Sequence, residues 1–312
     1  MGLAVVAGNA NPTLAEAVCR ELGVSPLGRV IERFPDSELH VELGVSVRGQ
    51  DVYVVQPTSP PVNEHLTELL FLADACRRAG AATISAVVPY FGYARQDRRA
   101  RGREAVPARL VADLIAASGV RRLIAVDLHT PSLEGFFPVP LEHLTAVPLL
   151  AKALPPLQGA SGVVVAPDLG AVKLAERYAA LLRLPMAVVL KTRLGPESVR
   201  AEGVVGEVRG RTPIIVDDMI STGGTIEAAV RCLEGAGARP DATVLVTHLL
   251  LAAPGLERLA SLGLRRLISS DSVLASADRP ALLEVVSLAP LIAETMRRLA
   301  SDGTLADLAW HG

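Results

Sequence analysis

The chain has 312 residues, half of them hydrophobic, and a formal net charge of −2 at neutral pH. That length holds two ordinary domains or one large one, with enough apolar residues for sizeable cores. The near-zero charge excludes a global basic field of the kind that draws nucleic acid, and no uninterrupted apolar run reaches the ~20 residues of a membrane span.

Three cysteines, Cys19, Cys76 and Cys232, have no metal-ligand spacing, and so sparse and odd a number fits a reducing cytoplasm. Cys76 shares a helical face with Leu69, Leu72 and Ala73 and reads as core. The opening MGLAVVAGNANPT lacks a basic n-region and reads as a strand, not a signal peptide. Only Lys152, Lys173 and Lys191 among the 31 basic residues are lysines, which singles each of them out.

Strand-like and helical runs alternate from end to end, which predicts a parallel α/β architecture. Leu3 to Val6 reads as a strand, Gly8 to Pro12 as a turn and Thr13 to Leu22 as a helix. Arg29 to Glu32 then leads into FPDSELHVEL, where period-two alternation over Leu39 to Leu43 predicts an antiparallel flap off the main sheet. His40 on that flap reads as a solvated strand residue. Strand Asp51 to Gln56 follows, then an amphipathic helix from Asn63 to Arg78 with Leu66, Leu69 and Leu70 inward.

Strand Thr83 to Val88 ends in PYFGYARQDRRARGRE. This segment crowds Arg95, Arg98, Arg99, Arg101 and Arg103 beside Tyr90, Phe91 and Tyr93, in a chain that is only 3% aromatic. Arginines offer planar, bidentate contacts to phosphates and aromatics can stack a base. The segment reads as a nucleotide site, or as a solvated basic loop after an aromatic core plug. Pro107 opens the next helix at a tolerated position. Strand Leu123 to Val126 then delivers Asp127, Leu128 and His129 to the C-terminal edge of the sheet, the usual ligand edge of open α/β folds. His129 suits a divalent metal or a phosphate there, with a structural histidine as the alternative.

Pro138 to Pro148 reads as a crossing between domains. A second series begins with strand Val163 to Val165, with Asp168 just beyond its end, followed by helix Ala171 to Leu182 and strand Met186 to Leu190. Lys191 to Arg211 is polar and poorly periodic. It reads as a mobile lid carrying Lys191 and Arg193, as phosphoryl chemistry uses, or as a plain surface hairpin.

Next comes IIVDDMISTGGT, Ile214 to Thr225. An apolar strand runs into Asp217 and Asp218, then into the turn Ser221, Thr222, Gly223, Gly224 and Thr225. A helix with Ile226, Ala229, Val230 and Leu233 at helical spacing follows. Glycines admit a ligand close to the backbone, and free N–H groups at a helix start favour an anion. No Gly-Lys-Ser/Thr is present, so this is not the P-loop of nucleotide hydrolases. Two carboxylates beside a phosphate cradle make sense if they meet sugar hydroxyls or Mg²⁺, which fits a ribose phosphate. An ordinary βα turn is the alternative. Strands Thr243 to Thr247, Arg266 to Ser269 and Glu284 to Ser287 follow, with a helix from Gly255 to Ser261 among them. A last amphipathic helix runs from Leu288 to Leu299, and Ser301 to Gly312 reads as a loosely held tail.

VDDMISTGGT resembles the phosphoribosyl-binding loop of the phosphoribosyltransferase superfamily. Together with FPDSE, PYFGYARQDR and DLHTPSLEGFF, in that order, and with APDLG and KTR placed before it, the chain resembles the ribose-phosphate pyrophosphokinases, or phosphoribosyl pyrophosphate (PRPP) synthetases, along essentially its whole length. The resemblance implies two phosphoribosyltransferase-like domains, each a mostly parallel sheet flanked by helices. The first spans residues 1–145 and is joined by the last helix, 288–300; the second spans 146–287 and carries the sugar-phosphate loop. It implies transfer of pyrophosphate from Mg-ATP to ribose 5-phosphate, giving PRPP and AMP for nucleotide biosynthesis. A phosphoribosyltransferase or a non-catalytic regulatory relative is the alternative.

By the same resemblance Asp36, Ser37, Glu38, Arg95 and Gln96 look like ATP-binding residues, and His129 and Asp168 like Mg²⁺-associated positions. Lys191 and Arg193 look like the catalytic pair. Arg193, Asp217, Asp218 and Ser221 to Thr225 would bind ribose 5-phosphate. A cytoplasmic homo-oligomer, dimer or hexamer, is implied, with the ATP site shared between subunits. Ser37 stands where glycine is usual and Ser221 where many bacterial members have aspartate. KTRLGPESV resembles an archaeal-type lid more than the KRRP form, which speaks against control by phosphate and ADP.

Overall fold

The computed structural model describes residues 3–154, 161–193, 199–251, 253–275 and 280–310, the side chains of 191–193, 199–202, 253 and 254 excepted. In chain order the backbone forms β1 (Leu3–Ala7), α1 (Pro12–Leu22), β2 (Arg29–Arg33), β3 (Leu39–Leu43), β4 (Asp51–Val55), α2 (Val62–Arg78), β5 (Thr83–Val88), α3 (Pro107–Ala117), β6 (Arg122–Val126), β7 (Leu141–Leu144) and α4 (Val147–Lys152). There follow β8 (Gly162–Ala166), α5 (Val172–Leu182), β9 (Met186–Arg193), β10 (Val199–Val205), β11 (Thr212–Ile220), α6 (Gly224–Gly235), β12 (Thr243–Leu249), α7 (Ala253–Ala260), β13 (Arg266–Ser270), β14 (Leu283–Val286) and α8 (Ala289–Ala300). Two compact units result. One comprises Met1–Thr145, Ser272–Leu274 and Ser287–Gly312; the other comprises Ala146–Asp271 and Ala275–Val286.

In the first unit the sheet runs β1-β4-β5-β6-β7, all parallel. Its strands are near-continuous apolar runs because helices cover a parallel sheet on both faces. Val5, Val54, Val87 and Ile124 are fully buried. From α2, Leu69, Leu72 and Cys76 are fully buried in the same core, each of the two leucines contributing roughly 1.5–3 kcal/mol. Burial pushes the Cys76 thiol up to about 12, so it is an inert core group. Asn11 caps α1 by accepting from the Leu14 amide, and Gly23 closes it at φ 71°. Helix α8 packs on α1 in this unit, and Arg297 donates to the Glu21 carbonyl at 2.6 Å.

Strands β2 and β3 form a separate two-stranded antiparallel sheet, with FPDSE as its turn. Two expectations need correction. Residues 138–148 are not merely a crossing: β7 is the edge strand of the first sheet, too short and too mixed in polarity to announce itself. The tail after α8 is held. Ala309 bridges Leu144 in antiparallel fashion, Thr145 donates to the Leu308 carbonyl at 3.0 Å and Trp310 to the His143 carbonyl at 2.7 Å. The exposed edge of β7 supplies the backbone partners that no local pattern in the tail could reveal.

Among the described residues the second unit has a seven-stranded sheet, β10-β9-β8-β11-β12-β13-β14. It is parallel except for the antiparallel β9–β10 hairpin. Its core includes Val163, Val165, Ile215, Val244, Leu267 and, from α6, Ile226, Val230 and Leu233. No described helix of either unit is long and apolar enough to cross a membrane.

Candidate active site

Strand β11 runs further than its apolar start suggests. Asp217 and Asp218 lie inside it and it ends only at Ile220. Asp217 faces Val246 of β12 in register. Ser221 and Thr222 then turn the chain, and Gly223 enters α6 as its N-cap residue at φ 76°, a conformation glycine adopts without strain. A Cβ at Gly223 would also press on the Leu259 side chain at 3.2 Å. The start of α6 is thereby left with unclaimed backbone N–H groups beside a loop of small residues, an anion cradle by construction.

Strand β8 pairs with β11 through Val165 and Ile215, so the C-terminal ends of both strands reach one edge. Asp168 sits there as the cap of a short 3-10 turn, accepting from the amides of Gly170 at 3.0 Å and Ala171 at 3.3 Å. Asp217 accepts from the Asp218 amide at 3.0 Å. Burial first, then the carboxylates of Asp218 and Asp168, push the Asp217 carboxyl well above its ordinary range. Three acids thus share one edge beside the cradle. They do not form a ready-made cage, and no described group of three His, Cys, Asp or Glu side chains is arranged to hold a metal. Lys191 and Arg193 have their backbones in β9, where Lys191 pairs with Ala201 and Arg193 with Val199. Their side chains and residues 194–198 lie outside the described residues.

In the first unit Asp36, Ser37 and Glu38 are exposed on the β2–β3 turn. Ser37 takes φ 76°, which gives a steric reason for glycine at such a position. Its carbonyl accepts from Arg33 at 3.0 Å, and Arg33 also pairs with Glu64 of α2. Ser37 and Glu38 line a cavity of about 530 Å³ together with Asn63 and Glu64. Arg95 and Gln96 line a second cavity of about 420 Å³, which includes the same Asn63 and Glu64. The flap turn and the arginine turn therefore meet on one stretch of α2.

The turn carrying Arg95 and Gln96 is pinned from below. Gly92 donates to Thr58 Oγ1 at 2.6 Å, and Gln96 donates to the Tyr93 carbonyl at 2.8 Å. Tyr90 and Phe91 are buried, Phe91 edge-on to Phe137. Phe91 is thus a core plug and not open to base stacking, whereas Tyr90 and the half-buried Tyr93 line the cavity of Arg95 and Gln96, and the chain from Arg95 to Glu104 is largely exposed. His129 is exposed just past β6, while Asp127 and Leu128 before it are buried.

The family model for the N-terminal domain of ribose phosphate pyrophosphokinase matches residues 3–119, and that for the phosphoribosyl transferase domain matches 151–258. The chain is 44% identical over 294 residues to a ribose-phosphate pyrophosphokinase of Staphylococcus aureus (strain Mu50 / ATCC 700699), covering 93% of this chain and 91% of the relative. The Staphylococcus haemolyticus protein of the same name is 43% identical over the same length. The chain belongs to the ribose-phosphate pyrophosphokinase family. It also superposes on the crystal structure of phosphoribosylpyrophosphate synthetase from Mycobacterium smegmatis with a TM-score of 0.91 at 41% identity, over 97% of this chain and all of that one.

As a ribose-phosphate pyrophosphokinase, the chain is an enzyme of two phosphoribosyltransferase-type domains. Arg258 on α7 joins the loop from outside the motif. It donates to the Thr222 carbonyl at 3.0 Å and approaches Glu227 of α6 at 3.4 Å, tying the cradle's loop to two helices. A single exposed arginine on an amphipathic helix carries no signal that would have found it.

Proposed function

We propose that this pyrophosphokinase transfers the diphosphoryl group of Mg-ATP to ribose 5-phosphate, yielding PRPP and AMP for nucleotide biosynthesis. The anomeric hydroxyl oxygen bonds to the β-phosphorus, the bond from that phosphorus to the α–β bridging oxygen breaks, and the hydroxyl proton is released. The observation that carries this reading is the Gly223-capped start of α6, separated by Ser221 and Thr222 from a strand that carries paired carboxylates near its C-terminal end. That arrangement offers N–H groups to a 5-phosphate and acceptors to ribose hydroxyls at one spacing.

Asp217 and Asp218 accept from the sugar hydroxyls, and Ser221, Thr222, Gly223, Gly224 and Thr225 hold the 5-phosphate. Arg95 and Gln96 bind ATP, with Asp36, Ser37 and Glu38 at the base. Lys191 and Arg193 meet negative charge developing on the transferring phosphates, and Arg193 also contacts ribose 5-phosphate; such charge stabilisation is most of what a protein contributes to phosphoryl transfer. The donor set fits Mg²⁺, which takes one or two carboxylates and fills its shell with substrate phosphates and water. The crowding that raises Asp217 is charge such an ion would offset. Asp168 and His129 carry the Mg²⁺-associated roles, and the ion would neutralise phosphate charge when bound. The enzyme works in the cytoplasm as a homo-oligomer, dimer or hexamer, whose ATP site draws the flap from a neighbouring subunit. Incubating the purified protein with ATP, Mg²⁺ and ribose 5-phosphate, with no purine or pyrimidine base present, tests the reading. Equal amounts of AMP and PRPP are expected; absence of AMP defeats it.

A further inference from the structure

Strand β7 contributes more than an edge. His143 on it is buried, 4% exposed, and both ring nitrogens are engaged. Nε2 accepts from the Leu128 amide at 2.9 Å, and Nδ1 lies 2.8 Å from Glu134 Oε1. A neutral imidazole has one donor and one acceptor nitrogen. Since the amide can only donate, Nε2 must carry the lone pair and Nδ1 the proton, which it gives to Glu134. The ring also stacks on the Trp310 indole, centroids 5.5 Å apart and planes 8° from parallel. The tail holding Trp310 is fastened by backbone bonds at the His143 carbonyl and the Thr145 amide, with Ala309 bridging Leu144 between them.

What this assembly grips is the turn before His129. Asp127 has φ 40°, a left-handed backbone unusual for a non-glycine residue. Such a conformation persists only where neighbours over-determine it. Two consecutive amides do so here: Asp127 donates to the Leu144 carbonyl at 3.0 Å, and Leu128 to His143. The next residue, His129, emerges exposed.

We propose that the Glu134–His143 pair, backed by Trp310, is a positioning device for His129. It fixes the Leu128 peptide so that His129 is presented to MgATP in one orientation. His143 touches no substrate and acts through its neighbour's backbone. The inference rests on the Mg²⁺-associated role given to His129 above, which MgATP binding reads.

The test combines spectroscopy with a double-mutant cycle read by MgATP titration and turnover on the full chain. In ¹⁵N-labelled parent protein, His143 should show a protonated Nδ1 and an unprotonated Nε2; the opposite tautomer overturns the proposal. His143→Leu removes the acceptor and should weaken MgATP binding at least tenfold. His143→Gln, whose Oε1 can take the place of Nε2, should bring affinity back to within about threefold. In a His129→Ala background the His143→Leu loss should shrink below twofold, because coupled residues are non-additive. Equal losses in both backgrounds, or a glutamine variant no better than leucine, would mean a merely structural histidine and overturn the proposal. If His143→Leu fails to fold, the tautomer and the glutamine variant still decide. A His129→Ala enzyme as good as its parent defeats the reading of His129 itself, and the proposal with it.

Discussion

Arg258 donates a hydrogen bond from Nη1 to the backbone carbonyl of Thr222, 3.0 Å away, and so joins α7 to the loop that opens α6. The same guanidinium reaches Glu227 in the first turn of α6. A loop that must hold its N–H groups ready for an anion gains from such a tie, since ordering it beforehand lowers the entropy lost on binding. Arg258→Met should therefore raise the KM for ribose 5-phosphate by about fivefold, equivalent to ~1 kcal/mol for a half-exposed charged hydrogen bond, and leave the KM for ATP unchanged. Steady-state kinetics with each substrate varied in turn checks this; equal changes in both constants would remove the loop-specific role.

Asp217→Asn should separate stability from function. Its carboxyl is raised, so the folded protein holds that proton more tightly than the unfolded chain does. Stability contributed by the protonated form is complete below the unfolded value near 4 and falls as pH rises through the raised folded value. At neutral pH the metal-free variant, which carries no such charge, should melt higher than the parent, and the gap should close below about pH 4. Ribose 5-phosphate should nonetheless bind more weakly, and ATP less affected, because an amide is a poorer acceptor. Melting curves across pH and separate calorimetric titrations report both halves.

Lys191→Ala should leave the fold intact and lower kcat by two to three orders of magnitude, roughly 3–4 kcal/mol, as when one charge-stabilising donor is removed from a transition state. The motive is a lysine whose backbone lies in β9, proposed above to meet the transferring phosphates, in a chain with only three lysines among 31 basic residues. Activity within tenfold of the parent would show that the lysine is not catalytic.

Gly92→Ala should damage the ATP side. A Cβ there would stand 2.7 Å from the Thr58 carbonyl oxygen and 2.7 Å from Val62 Cγ1. A backbone oxygen cannot step aside cheaply, so overpacking of about 1–3 kcal/mol is expected. The shift would pass to Arg95 and Gln96, three and four residues on. Gly102→Ala, where nothing lies within 4 Å, is the control. Thermal melts and ATP titrations of the two variants should diverge clearly.

The flap yields a complementation test. Neither a Lys191→Ala chain nor an Asp36→Ala/Glu38→Ala chain should be active alone. If the flap serves a neighbouring subunit, dissociating and reassembling the two together should restore activity at sites that pair an intact flap with an intact Lys191. No recovery in confirmed mixed oligomers would place flap and lysine of one site on the same chain.

Much of the fold was legible because its signals are local. Period-two alternation marked β3, and the matching β2 and FPDSE turn close a hairpin there. Helical spacing of Leu69, Leu72 and Cys76 marked the buried face of α2. The glycine pair after Asp217 and Asp218 marks the start of α6. In each case the determinants lie within a few residues of one another, where backbone sterics and side-chain periodicity act directly.

The rest depended on strand order. Asp168 and Asp217 are 49 positions apart, and their mutual charge exists only because β8 pairs with β11 across the intervening hairpin. Phe91 read equally as a base-stacking aromatic or a core plug, and the close approach of Phe137 made it core. Strand β7, read from its residues as a connection, became the edge on which Leu308 to Trp310 pair and which carries His143. The sequence by itself determined most of the elements, the flap and the glycine turn that opens α6, because those need only neighbours along the chain. The grouping of acids, the burial of aromatics and the grip on the turn before His129 were decided by the tertiary structure, because hydrogen bonds and charge act through space between segments whose proximity no local periodicity encodes.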